Sequence, residues 1–109
     1  LAVGAQSAVG STFNYAAPLY SQLISAFDLG DLETARTLQQ QSIDMIRLLG
    51  KYGGIATGKA YMKLIEMNCG EFRLPVKNMS KEQFEQFKKD AEQLNFSSFC
   101  SRISSAVKV

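Results

Sequence analysis

The chemistry open to this chain centres on Gly10-Ser11-Thr12, two hydroxyl side chains behind a glycine, placed after the short apolar pair Ala8-Val9 and just before a helical stretch. A small residue at the carboxyl end of a strand lets a ligand approach the backbone, and a hydroxyl beside it can bind that ligand, as in the site loops of parallel α/β barrels. The same three residues would also serve as a tight exit turn whose hydroxyls bond local backbone. Few other groups compete. The chain has 109 residues and no His, so the commonest general base is missing and a Ser-His triad cannot form within it. Its ten carboxylates fall mostly on polar helix faces or in caps, and no paired acid and base stand out. A lysine forms a Schiff base where burial or a cationic neighbour lowers its pKa; Lys59, early in a helix behind a glycine loop, comes nearest to that setting. Cys69 and Cys100 have no metal-ligand spacing, so no metal site is expected and the thiols read as reduced, in a cytoplasmic protein.

Composition sets outer bounds. One domain at most is present, long enough to bury roughly 65% of the unfolded surface if compact. A hydrophobic content of 46% with 20% charged residues is ordinary globular usage and excludes disorder. Twelve basic residues against ten acidic ones leave a net charge of +2, and the basic residues are scattered instead of forming the stripe that phosphate binding needs. Nucleic acid is therefore not an expected partner. Nor is a membrane, since no apolar run approaches the roughly 18 residues of a span.

The elements that must position Gly10-Ser11-Thr12 are helices. Pro18 suits a first helical turn and nowhere further inside, so a helix is predicted from Pro18 to Leu29, with Leu19, Leu23, Ile24 and Phe27 on one face and Gly30 as its C-terminal cap. Asp31 caps a second, long amphipathic helix bearing Ala35, Leu38, Ser42, Met45, Ile46 and Leu49 on its apolar face. Gly50 and Gly53-Gly54 end it in a loop from Lys51 to Ala56. A third helix follows from about Thr57, with Tyr61, Leu64 and Ile65 as its stripe and Asn68 and Gly70 as its stop. Pro75 makes Cys69 to Met79 irregular. Ser80-Lys81-Glu82-Gln83 has the form of a capping box, with Met79 and Phe84 as a staple, and starts a last helix at Lys81. Beyond it, Phe96 to Val109 reads as a partly mobile tail in which Phe96, Phe99 and Ile103 can dock.

A strand at Ala8-Val9 fits this list poorly, because a strand needs hydrogen-bonding neighbours and even a pair is marginal in water. Its partners are not in the helical remainder. The opening, Leu1-Ala2-Val3-Gly4-Ala5, resembles the frayed end of a helix begun elsewhere, and the whole reads as the C-terminal piece of something larger.

Ala8-Val9-Gly10-Ser11-Thr12-Phe13-Asn14-Tyr15, followed by Gly30-Asp31-Leu32-Glu33-Thr34-Ala35-Arg36, Gly53-Gly54-Ile55-Ala56-Thr57-Gly58-Lys59 and Phe72-Arg73-Leu74-Pro75-Val76, resembles the C-terminal third of the N-acetylneuraminate lyases. Dihydrodipicolinate synthases share the superfamily but usually differ around GSTFN. The resemblance implies an α/β fold, a (β/α)8 TIM barrel, of which residues 1–30 form the end (last strand and last barrel helix), 31–95 an appended helical extension and 96–109 a tail. It also implies a Schiff-base aldolase that cleaves N-acetylneuraminate to N-acetylmannosamine and pyruvate without a cofactor. The lysine, an assisting tyrosine and a hydroxyl pair for the substrate carboxylate would lie outside this chain. Within it, Ser11 would bond a hydroxyl of the open-chain sugar, Gly10 would admit it, and Ile55 would stand at the barrel mouth as a wall residue. Tyr15, Tyr20, Tyr52 and Tyr61 do not match the catalytic tyrosine's motif. The implied partners are the remainder of the barrel, sialic acid and pyruvate, and further copies in a homotetramer. Two other readings stand beside this one: a self-standing helical module that binds a partner through an apolar face, and another pyruvate-dependent aldolase of the superfamily. In the first of these Ala8 and Val9 would be exposed or helical; in the barrel they would sit between strands from outside this sequence.

Overall fold

Three helix ends are set by local chemistry. Ser80 accepts from the amide of Gln83 and the Gln83 side chain accepts from the amide of Ser80, a complete capping box that satisfies two of the orphan donors of a helix start. Asp31 accepts from the Thr34 amide at 3.1 Å, and hydrogen bonding from Thr34, its side chain first and its amide second, holds the Asp31 carboxyl below the usual carboxylate range. Gly30, at φ +77°, closes the preceding helix: its own amide reaches the carbonyl of Phe27 and the Asp31 amide that of Ala26, the paired bonds of a Schellman motif whose left-handed residue favours glycine.

The computed structural model describes residues 1–103. Its elements are α1 (Phe13–Asp28), α2 (Leu32–Lys51), α3 (Ile55–Leu64), α4 (Lys81–Gln93) and a 3₁₀ turn, Phe96–Ser98. The chain is mostly helical and no strand forms among the described residues. The expected strand is absent among the described residues: Ala8 and Val9 are exposed, Val9 completely, because no other described segment offers them backbone partners.

Helix α1 begins five residues before Pro18, but it is two helices in register across a break. Ala16 has φ −136° and ψ +31°, and Pro18 explains the break, since it brings no donor and its ring crowds the carbonyl four residues earlier. Prediction of a helix from Pro18 therefore described the main segment and missed the turn ahead of it. The groups freed at the break are recovered from the far end of the chain. Ser101 donates its amide to the Tyr15 carbonyl at 2.8 Å, and its hydroxyl accepts from the Ala17 amide at 3.0 Å.

Gly50 lies inside α2 instead of ending it; Gly53, at φ +97°, makes the turn. Helix α3 starts two residues earlier than expected and stops at Leu64, short of Asn68. In the tail, two of the three residues expected to dock do so. Phe96 and Phe99 are 4% and 5% exposed, docked in the core, while residues 104–109 of the expected tail lie outside the described residues. Ile24 and Ile46, predicted on the apolar faces, are exposed.

The core gathers around Tyr61. Its ring stacks on Tyr15 with centroids 4.6 Å apart, meets Phe87 edge-on at 4.8 Å and lies against Phe96 at 4.9 Å. Its hydroxyl donates to the Met45 carbonyl of α2 at 2.8 Å. Burial pushes the phenol well above its ordinary pKa, with Tyr15 and Tyr20 adding to the effect, so it stays a donor. Tyr61→Ala is expected to lower stability by about 3–5 kcal/mol through the cavity it leaves, and Tyr61→Phe by about 1 kcal/mol for the lost hydrogen bond. Parallel urea denaturation of the two variants checks this; equal losses would show that the ring contacts contribute little.

A polar tie joins α2 to α4. Lys51 Nζ reaches Asp90 Oδ2 at 2.6 Å, the Tyr52 hydroxyl donates to the same oxygen, and Gln86 Nε2 donates to the other at 3.1 Å. The Lys51 ammonium first, and the Tyr52 hydroxyl second, hold the Asp90 carboxyl below its ordinary range. A carboxyl whose folded pKa is depressed contributes stability above its unfolded pKa and loses it as pH falls through the folded value. Asp90→Asn is therefore expected to be less stable than the parent at pH 7, with the gap narrowing as the pH falls below about 4, near the ordinary value of an Asp carboxyl. Chemical denaturation at a series of pH values reads the gap, and a constant gap would contradict the assignment.

Candidate functional site

The Gly10-Ser11-Thr12 segment forms a tight turn through its backbone. Gly10 and Ser11 carbonyls accept from the amides of Phe13 and Asn14, each at 3.2 Å, and the Thr12 carbonyl accepts from Ala16 at 3.0 Å. The Thr12 side chain makes no cap bond to the helix it precedes. It accepts from the hydroxyl of Tyr20 at 2.9 Å instead. Ser11 is exposed and stands on the wall of a mostly apolar cleft of about 610 Å³.

Four parts of the chain build this cleft. The start of α1 supplies Ser11, Asn14 and Tyr15; the end of α2 supplies Leu49; Gly54, Ile55, Gly58, Lys59 and Met62 come from α3 and its approach; and Cys69 and Phe72 come from the irregular segment. The structure thus brings Ser11 and Ile55, 44 positions apart in sequence, to one cavity. Ile55 is 68% exposed, an apolar side chain facing open space. Gly10 does not line the cleft: a Cβ at its position would meet the Phe13 ring at 3.6 Å, an ordinary contact, so its bareness faces Phe13 in this structure.

Tyr15 is the member that sequence reasoning passed over. It is 2% exposed, its hydroxyl has no hydrogen-bond partner among the described residues, and burial, with Tyr20 adding to it, pushes the phenol up to about 12. Such a group stays protonated at neutral pH and offers a hydrogen bond; it is not a base. The other tyrosine hydroxyls all donate within the chain. Tyr61 holds α2, Tyr52 holds Asp90 and Tyr20 holds Thr12.

Lys59 is likewise engaged. Its ammonium donates to the Glu71 carbonyl at 2.8 Å and lies 4.4 Å from the centre of the Phe72 ring, which fastens the irregular segment to α3 and puts Phe72 on the cleft. Asn78 completes the clamp: its Oδ1 accepts from the Phe72 amide at 2.7 Å, and its Nδ2 donates to the Phe72 carbonyl at 3.0 Å. Both cysteines are free thiols, Cys69 exposed and Cys100 half-buried. Among the described residues no three His, Cys, Asp or Glu side chains gather as a metal site, and no described helix is long and apolar enough to cross a membrane.

Residues 1–94 match the model of the dihydrodipicolinate synthetase family. The chain belongs to that family. It is 35% identical over 101 residues to an N-acetylneuraminate lyase of Rattus norvegicus, covering 91% of this chain and 32% of that protein. Against a 4-hydroxy-tetrahydrodipicolinate synthase of Corynebacterium aurimucosum it is 31% identical over 93 residues, covering 84% and 31%. The solved structure of Proteus mirabilis N-acetylneuraminate lyase superposes with a TM-score of 0.82 and 42% identity, over 87% of this chain and 32% of that one. The chain therefore spans about a third of the length of these family members, and it is similar to lyases and synthases alike.

Asn78→Ala is expected to free the Phe72 backbone and withdraw that ring from the cleft. Amide hydrogen exchange would show it as an acceleration at Phe72 of about tenfold or more, since both ends of the clamp are lost, with the Tyr61 region unchanged. Unaltered exchange at Phe72 would mean that Lys59 alone holds the segment.

Proposed function

We propose that this chain is the C-terminal part of an N-acetylneuraminate lyase, in which residues 1–30 end a (β/α)8 barrel, 31–95 form a helical extension and 96–109 a tail. In the complete protein a lysine outside this chain condenses with the keto carbon of N-acetylneuraminate. Retro-aldol cleavage releases N-acetylmannosamine, the protonated imine takes up the electron pair, and hydrolysis then frees pyruvate. A tyrosine, also outside this chain, assists proton transfer. Ser11 contributes a hydrogen bond to a sugar hydroxyl and Ile55 lines the mouth; Gly10, whose open side faces Phe13 in this chain alone, gives room beside Ser11 in the complete barrel. The remainder of the barrel and further copies of the protein are the partners, and the cytoplasm the compartment.

The observation that carries this reading is the GSTFN segment, with Ser11 on the same cleft as Ile55. The identity of 35% to the Rattus norvegicus lyase, against 31% to the Corynebacterium aurimucosum synthase, supports the sialic acid substrate over another pyruvate-dependent aldol reaction. Exposure of Ala8 and Val9 favours a second reading, a self-standing helical module that binds a partner through an apolar face. Native mass spectrometry separates the two: a barrel of about 250 residues or more supports the aldolase, and a particle made of this chain alone supports the module.

In the complete enzyme, Ser11→Ala is expected to raise KM for N-acetylneuraminate about fivefold, the equivalent of one hydrogen bond at about 1 kcal/mol. Borohydride trapping of pyruvate should persist, because the imine forms elsewhere. Equal losses in trapping and in sugar cleavage would remove the assigned role from Ser11.

A further inference from the structure

Thr12 sits where a threonine ordinarily caps a helix with its own hydroxyl, yet that hydroxyl is turned to Tyr20. Side chains on a helix lean toward its N-terminus, which lets Tyr20 reach back eight positions across the break at Ala16. Its ring is braced by Phe13, edge-on with centroids 4.3 Å apart. A second hydroxyl, Ser42 on α2, lies 2.9 Å from the Tyr20 oxygen and is 1% exposed. A phenol has one proton. With that proton given to Thr12, Ser42 must donate to Tyr20, and the order of donation is Ser42 to Tyr20 to Thr12. The Thr12 proton is then not the one shared with Tyr20. None of these bonds is needed to form α1, whose first turn is already closed by backbone bonds from Gly10, Ser11 and Thr12.

We propose that Tyr20, backed by the buried Ser42, is a positioning residue for the Gly10-Ser11-Thr12 turn, so that α2 sets how well the turn binds the polyhydroxylated part of the substrate. This rests on the reading of Ser11 as a sugar-binding residue. Tyr20 itself does not touch the substrate; it acts through Thr12.

The test uses the complete enzyme and compares Tyr20→Phe, Thr12→Val, their double variant, Thr12→Ser and Ser11→Ala. Tyr20→Phe keeps the ring on Phe13 and removes the donor; KM for N-acetylneuraminate should rise about threefold to tenfold with kcat within about twofold, the pattern of lost binding common to ground and transition states. Thr12→Val should do the same, the double variant should be no worse than either, and Thr12→Ser, which retains the acceptor, should restore the parent value. A fall in melting temperature with KM unmoved in Tyr20→Phe and Thr12→Val, while Ser11→Ala still raises KM, would show a purely structural bond and overturn the proposal. Additive effects in the double variant would overturn the coupling. If Ser11→Ala leaves KM unchanged, the sugar-binding reading itself fails and the proposal falls with it.

Discussion

One fully buried ring holds this structure together. Tyr61 touches Tyr15 from α1, Phe87 from α4 and Phe96 from the 3₁₀ turn, and its hydroxyl closes on the backbone of α2. Face stacking on one side and edge contacts on the others are the geometries that aromatic quadrupoles favour. Because a single side chain makes all of them, the helices do not pack pairwise and independently. Helix α3 is short, and what it contributes is this ring at the centre and the cleft wall at its start.

The cleft exists because the same ring pair has two sides. Tyr15 stacks on Tyr61 from the core, and the turn that precedes it carries Ser11 to the outer wall. Phe72 forms the opposite wall only through Lys59 and Asn78, which hold an otherwise irregular segment by its backbone. A rigid wall and a clamped wall face each other. The wall that belongs to the core is the one with the hydroxyls.

Much of this was legible in the amino-acid order, for a physical reason. Caps are local: Gly30, Asp31 and Ser80 through Gln83 act within a few residues, and each behaves as its type predicts. The kink was half legible, since Pro18 forbids a continuous helix but does not reveal that a turn can form before it. Docking of Phe96 and Phe99 was legible from residue type alone, because the serines around them carry no period and the pocket they fill is made by distant residues. Val9 shows the opposite limit, an apolar residue of strand type with no neighbour among the described residues to pair with. At the site, Ser11 and Ile55 were readable from their motifs. Tyr15 and Phe72 were not, since one reads as core and the other as loop.

Ser101 finishes the broken turn of α1 with one amide and one hydroxyl. Residues 15 and 17 thus receive their last hydrogen bonds from a residue made more than eighty positions later. On a ribosome the chain emerges from its N-terminal side, so the approach to the Ser11 turn can be completed only after nearly the whole of this segment has been synthesised. Contacts of such long sequence separation also form late for entropic reasons. Maturation of the turn is tied to the arrival of the chain's other end, and a fusion or a cut placed near Ser101 would be felt at the opposite extremity of the sequence.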